Sequence, residues 1–455
     1  MNRNISKLAV IVISALITFQ QRINAQEYNN ASANSSDGKA AYSQIFKENV
    51  AAAVAEHPRS EAARAARDEK RYQEDEARAA LYPQIGVDLN GRQRIVRSFE
   101  NRFDNITQRS LRDTAANISL VGRQLLYDGG STSSKIASAR YAFSAADEKY
   151  SFESSSVALA AVEAHYYVLY ERTRSKYHRE NVARHNEILE MVNERFKSGR
   201  GPNRDVTLMM SRLASAETSA LRAKMDLDEA TSHYEEIYNF SPENIKHPEI
   251  GFNLPRDEIE ALEIGFQNNR LLTAATSTSL SSKENMKAIR SGQLPSLSLE
   301  LAATKYDLER GNRDYDVSGR LLLNYSLYNG GARSARISQS AKSYEGARKN
   351  EENISREVTR GIKVAFQMLQ SQVRQIISLE KAMTASRINR DQTREQFEVT
   401  GGSLFNLLEA EKEYHSSREQ YLGGSVEQAL AEYRLLNVIG TLLPALNIVL
   451  RKESE

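Results

Sequence analysis

Hydrophobic positions along this chain follow two different periods. Leu297, Leu299 and Leu301 alternate with Ser296, Ser298 and Glu300. Ile85, Val87 and Leu89 alternate in the same way with Gly86, Asp88 and Asn90. Farther on, Val317, Leu321, Leu323, Tyr325 and Leu327 share one face, and Ser318, Arg320, Asn324 and Ser326 share the other. A period of two with one apolar side marks a half-buried strand. Arg123 and Arg320 take matched places on the polar side. Four strands are expected, and each is long enough to cross a bilayer at about 45° tilt, which takes roughly 9–11 residues. Four strands cannot enclose a lumen, so any pore would need several chains. The other period is helical. Leu213, Ala216, Ala220, Ala223, Leu227, Ala230, Tyr234 and Ile237 step by alternating threes and fours, which is a coiled-coil seam. Its alanines permit close helix approach. Ser131 to Phe196 runs without Pro or Gly, enough for a helix of roughly 100 Å at about 1.5 Å per residue. Ala332 to Phe397 matches it, interrupted only by Gly346 and Gly361. The charged stretch Arg172, Arg174, Lys176, Arg179 and Glu180 reads as a solvated helix face.

These elements occur twice. Tyr127-Asp128-Gly129-Gly130 recurs as Tyr328-Asn329-Gly330-Gly331. The same register then pairs Ile136 with Ile337, Val157 with Val358, Phe196 with Phe397, Gly201 with Gly402 and Ala230 with Ala431. Upstream, Leu81-Tyr82-Pro83 corresponds to Leu294-Pro295, and the segment between proline and Gly-Gly differs in length, as a variable loop tip does. Each unit therefore reads as a helix ending at proline, a strand pair, a Gly-Gly turn, a very long helix, a glycine turn and a second helix.

Composition agrees with long elements. The 455 residues hold 8 Pro and 22 Gly, below the usual shares of about 5% and about 7%. There is no cysteine, which excludes disulfides, thiolate metal sites and a cysteine nucleophile. A formal charge of +2 makes no case for nucleic acid as a partner. Arg3 and Lys7 precede the apolar run Leu8–Phe19, and Ile23-Asn24-Ala25 follows. That is the layout of a cleaved secretory leader, and the run is shorter than the roughly 20 residues of a spanning helix. Residues 1–25 are expected to be removed after Ala25. No later segment offers 18 consecutive apolar residues, so a membrane crossing would require strands closed into a barrel.

Enzymatic signatures are missing. The chain has no G-x-x-x-x-G-K-[ST], H-E-x-x-H or G-x-S-x-G. His178 and His185 could share a helix face, but two histidines without a third ligand make a poor zinc site. No catalytic residue, cofactor or metal is expected.

The residues together resemble the TolC family of outer-membrane channel proteins. The matching features are the leader, Glu56-His57-Pro58, Ala79-Ala80-Leu81-Tyr82-Pro83, and the two Tyr-Asp/Asn-Gly-Gly elements. The tip Arg195-Phe196-Lys197-Ser198-Gly199 with Asp205-Val206, followed by Arg212-Leu213-Ala214-Ser215-Ala216, completes the set. The resemblance spans roughly residues 42–443. Glu180-Asn181, His185, Ile188-Leu189 and Ser211-Arg212-Leu213-Ala214 are most similar to members serving type I secretion.

The resemblance implies a mainly α, internally duplicated fold with a β-barrel part. It implies a homotrimer whose chains each give four strands to one 12-stranded barrel, with the helices forming a periplasmic α-barrel. The expected layout is 26–82 N-terminal periplasmic helices, 83–128 first outer-membrane strand pair, 131–239 first long helix pair, 240–293 equatorial segment, 294–328 second strand pair, 332–443 second long helix pair and 444–455 tail. Arg123, Ser318, Arg320 and Asn324 would face the barrel lumen. Gly199, Arg200, Gly201, Gly402, Ser403 and Leu404 would be tip contacts for a periplasmic adaptor, though the glycines are equally explained as turn residues. An inner-membrane ABC transporter or proton-driven pump would supply the energy, and the strands would meet outer-membrane lipid. At the periplasmic entrance the family's acidic positions fall on Asn406 and Glu409. A ring of Glu409 would favour cations. Asp205 matches an aspartate that latches the closed tip, but its basic partner falls at Gly402, so that salt bridge cannot form here; the alternatives are a looser gate or substitution by Arg200 or Arg204. Export through a type I secretion system is the leading expectation. A drug or metal efflux duct of the same fold and a pore-less periplasmic coiled-coil scaffold are the alternatives.

Overall fold

The computed structural model describes residues 36–96, 98, 106, 113–308 and 314–450. The expected leader lies outside these residues. Helix α1 (Ser36–Glu56) and helix α2 (Pro58–Ala79) are separated at His57. Pro58 cannot supply an N–H to a continuing helix, and the His57 side chain accepts the Arg59 backbone N–H at 3.1 Å to start the second one.

Strands β1 (Gln84–Gln93), β2 (Thr114–Tyr127), β3 (Ser296–Lys305) and β4 (Tyr315–Asn324) form one antiparallel sheet in chain order. The two repeats meet at the β2–β3 pair, in which Arg123 lies opposite Glu300 and Ser119 opposite Thr304.

Helix α3 (Ser131–Lys197) follows β2 and helix α7 (Ala332–Thr400) follows β4. Both start from a Gly-Gly pair in the left-handed region, with φ of 66° and 83° at Gly129 and Gly130 and of 64° and 84° at Gly330 and Gly331. Only glycine adopts this turn without strain. The residue before each pair caps the new helix. Asp128 accepts the Thr132 N–H and hydroxyl, both at 2.6 Å, and Asn329 accepts the Arg333 N–H at 3.2 Å. The Tyr-Asp/Asn-Gly-Gly motif is thus a strand-to-helix corner with its own cap.

Each long helix turns back at a tip, α3 into α4 (Asn203–Tyr238) and α7 into α8 (Leu404–Val438). The α4 seam holds as expected. Ala216, Ala223, Ala230, Tyr234 and Ile237 are buried, and Leu213, Ala220 and Leu227 are half-buried between exposed neighbours. Helix α4 packs on α3, α3 on α8, and α8 on α7. This leaves α4 and α7 at opposite edges of the helical layer. Short helices α5 (Glu258–Asn268) and α6 (Arg270–Ser291) bridge its upper part, and α9 (Leu442–Ala445) closes it. The main core lies there, around Phe46, Tyr166, Ile362, Tyr433 and Leu435.

Candidate functional site: the strand face and the helical tips

The sheet has two chemically different faces. Ile85, Val87, Leu89, Leu120, Leu301, Val317, Leu321 and Leu323 lie on one side, all exposed. Burying so much apolar area would release about 25 cal/mol per Å², so this side is built for an apolar medium. The other side carries the polar positions. Arg123, Glu300 and Arg320 occupy one rung across β2, β3 and β4. Arg123 Nε donates to Glu300 Oε2 at 2.6 Å and Arg320 Nε donates to Glu300 Oε1 at 2.8 Å. One carboxylate therefore holds two guanidinium groups. Ser318 and Asn324 lie on the same side, Ser318 opposite Ala302 and Asn324 opposite Ser296. Sequence reasoning singled out both arginines and missed the carboxylate between them.

At the far end of the long helices, Ile188, Val192, Val206, Met209, Phe397, Leu404, Leu407 and Leu408 form a separate small core that joins the two tips. Gly199 and Gly401 turn the chain with φ of 70° and 73°. Gly199, Arg200 and Ser403 are exposed, Gly201 and Gly402 are half-buried, and Leu404 is buried in the tip core. Arg200 donates to Ser198 Oγ within its own turn, and Arg204 Nε lies 3.7 Å from Asp205. The link between tips is made by Arg195. Its guanidinium donates to the Phe397 carbonyl and lies 3.8 Å from the centroid of the Phe397 ring. Arg394 Nη2 on α7 adds a looser ion pair with Glu187 on α3, at 3.6 Å. Asn406 and Glu409 are exposed on α8, and Lys412 Nζ lies 3.8 Å from the Glu409 carboxylate. Asp205, Asn406 and Glu409 are not brought into mutual contact within one chain. Arg195 stood in the recognised tip motif, but its partner comes from the other repeat, which local sequence does not reveal.

Among the described residues no helix is long and apolar enough to cross a membrane. A family model described as "Outer membrane efflux protein" matches residues 49–233 and 264–441. The chain belongs to the outer membrane efflux protein family. It is accordingly an outer-membrane protein with a long periplasmic helical part. Outer membrane efflux protein BepC of Brucella suis is 22% identical over 330 residues, covering 72% of each chain. Outer membrane protein TolC of Vibrio cholerae is 23% identical over 312 residues, covering 65% of this chain and 70% of TolC. The solved Campylobacter jejuni CmeC outer membrane channel superposes with a TM-score of 0.75 at 15% identity, covering 87% of this chain and 86% of CmeC. The efflux-protein fold thus agrees with the mainly helical, duplicated architecture read from the sequence. Family and fold are those of channels rather than enzymes.

Proposed function

We propose that this chain is one third of a trimeric outer-membrane channel-tunnel, an exit duct that crosses the periplasm and the outer membrane. The observation carrying this reading is a matched incompleteness. The sheet ends in the free edges of β1 and β4, and the helical layer ends in α4 and α7. Both helix edges show apolar side chains: Leu221 and Met225 on α4, and Val373, Ile377 and Ile388 on α7. A head-to-tail contact of α4 on the next chain's α7, and of β1 on the next β4, satisfies both layers with one rotation, and such rings close when the rotation does. Three copies would give 12 strands, with the apolar side toward lipid and Arg123, Ser318, Arg320 and Asn324 toward the lumen.

The tips would meet a periplasmic adaptor through Gly199, Arg200, Gly201, Gly402 and Ser403. Leu404 would support them from the tip core. Glu409 from three chains would form the acidic entrance, with Lys412 reducing its strength. The Arg195–Phe397 link would take the part of the missing Asp205 latch. The finer reading is service to a type I secretion system, supported by the helix motifs around Glu180, His185 and Ser211. An efflux duct is the second reading, favoured by the efflux description of the family and of BepC.

Light scattering of the detergent-solubilised protein gives the copy number, and planar-bilayer recording gives the conductance. Three copies, cation-selective steps and block by trivalent cations from the periplasmic side support the proposal. A folded, non-conducting monomer overturns it. Deletion of the gene in the host, read as loss of a secreted protein or as drug sensitivity, separates the two readings.

A further inference from the structure

Between α3 and α8, well above the tip core, three metal-ligating side chains converge. His178 comes from α3, and His415 and Glu419 come from successive turns of α8. One ligand atom from each lies within 4.8 Å of the others. The imidazoles meet edge to face with centroids 4.8 Å apart, and His178 Nε2 is 2.8 Å from Glu419 Oε1. His178 is only 8% exposed. Both of its ring nitrogens, His415 Nε2 and Glu419 Oε1 are buried, and they make no hydrogen bond among the described residues. His178 Nε2 and Glu419 Oε1 therefore have only each other and the Arg174 guanidinium, 3.4 Å from Glu419 Oε1, within reach, while His178 Nδ1 and His415 Nε2 have no partner among the described residues. Buried polar atoms of this kind need a partner.

We propose that His178, His415 and Glu419 form a divalent transition-metal site of the zinc class that clamps the first repeat to the second. Two imidazole nitrogens and one carboxylate oxygen are three of the four ligands of a tetrahedral centre, and water supplies the fourth. An i, i+4 pair on one helix faced by a single ligand from its neighbour is a compact way to build the set. The surrounding charges permit a cation. Arg174 Nε lies 3.4 Å from Glu419 Oε1, but this guanidinium is already held by Asp226 at 2.8 Å and Glu171 at 3.0 Å. Arg418 is held by Glu180 at 2.6 Å and lies 3.4 Å from the Tyr177 ring centroid. Neither arginine needs Glu419 for balance. Farther toward the tip, Glu411 Oε1 faces Arg184 Nε at 3.9 Å and belongs to a separate charge cluster.

The site sits roughly 30 Å along α3 from its tip end, at about 1.5 Å per residue. A bound metal would fix the α3–α8 spacing at one level and set the point from which the tips can splay. The proposal does not depend on the copy number or cargo of the duct.

The test uses tag-free, full-length protein in detergent, stripped with chelator and titrated with Zn²⁺ and, separately, Co²⁺. The expected result is one metal per chain, a visible tetrahedral Co²⁺ absorption band and a Zn²⁺-dependent rise in melting temperature. His178→Ala, His415→Gln and Glu419→Gln each lose the band and the thermal shift. His233→Ala, at an exposed histidine on α4, keeps both. Circular dichroism without metal shows that each variant is folded, and His415→Gln at the half-buried position is the conservative one to rely on. Wild-type protein that gives no Co²⁺ band, or a band that survives in the folded His415→Gln variant, overturns the site.

Discussion

If the tips gate the proposed duct, the link from Arg195 to Phe397 makes a quantitative claim about their closed state. A cation over an aromatic face is worth about 0.5–1 kcal/mol when exposed and about 2 when desolvated. A hydrogen bond from a charged donor adds about 1.5–3 kcal/mol before screening. Arg195 is only half-buried, so solvent discounts both, and about 2 kcal/mol for the link is a fair total. Arg195→Ala removes both parts and uncovers the Phe397 ring while leaving the other tip-core side chains in place. At about 1.4 kcal/mol per tenfold, it lowers the closed-to-open ratio roughly 30-fold. Single-channel recording reads this directly as the fraction of time at full conductance. Arg195→Lys keeps the charge but loses the planar guanidinium that stacks and bonds together, so it falls between the two. An Arg195→Ala channel with wild-type open fraction and intact helical content refutes the latch.

Glu300→Gln leaves Arg123 and Arg320 without their shared carboxylate, and reversal potentials shift toward anions. Restoring the balance with Arg320→Gln in the same chain returns them. Burial holds the His165 imidazole down at about 4 from its usual value near 6.5, against the Lys246 carbonyl bonded at 2.9 Å. The unfolded chain therefore takes up that proton first. Stability is full above pH 6.5 and falls as pH drops toward 4, by about 3 kcal/mol in all. Urea melts at several pH values show the slope, and His165→Phe flattens it. Gly440 has φ of 82°, and a Cβ there would lie 2.2 Å from the Asn268 carbonyl oxygen. Gly440→Ala costs at least about 2 kcal/mol, seen as a lower melting temperature. Asp128→Ala removes the cap of α3 and costs about 1 kcal/mol, more than Asn329→Ala with its single longer bond.

The elements were legible wherever periodicity and breakers agreed. Gly129-Gly130 and Gly330-Gly331 mark the starts of the long helices because the turn needs left-handed backbone that other residues resist. Alternation marked three strands and the repeated layout implied the fourth, but in β4 the alternation ran past the end. Tyr325 and Leu327 continue the apolar phase, yet pairing with β3 stops at Asn324, because β3 itself begins at Ser296 after Pro295. What the sequence hid is what joins the two repeats. Glu300 between two arginines, Arg195 on Phe397, and His415 and Glu419 beside His178 all depend on a lateral register between segments roughly 200 residues apart. No local pattern records that register. The same gap explains Leu404, whose burial follows from how the two tips dock and not from its place in the turn.

The β2–β3 pairing has a consequence for biogenesis. The first hairpin must wait for the second, which is synthesised only after α3, α4 and the bridging helices, so no barrel wall exists until most of the chain has been made. Long loop closure of this kind slows folding. Meanwhile a sheet with one apolar side and two bare edges is exposed to the aqueous periplasm, the condition under which strands aggregate. The helical layer keeps its main core within one chain, and only its α4 and α7 edges would wait for a neighbour in the proposed ring. Under the proposed assembly, maturation would run from the periplasmic end outward. In the proposed ring the membrane part would be completed last, when copies meet.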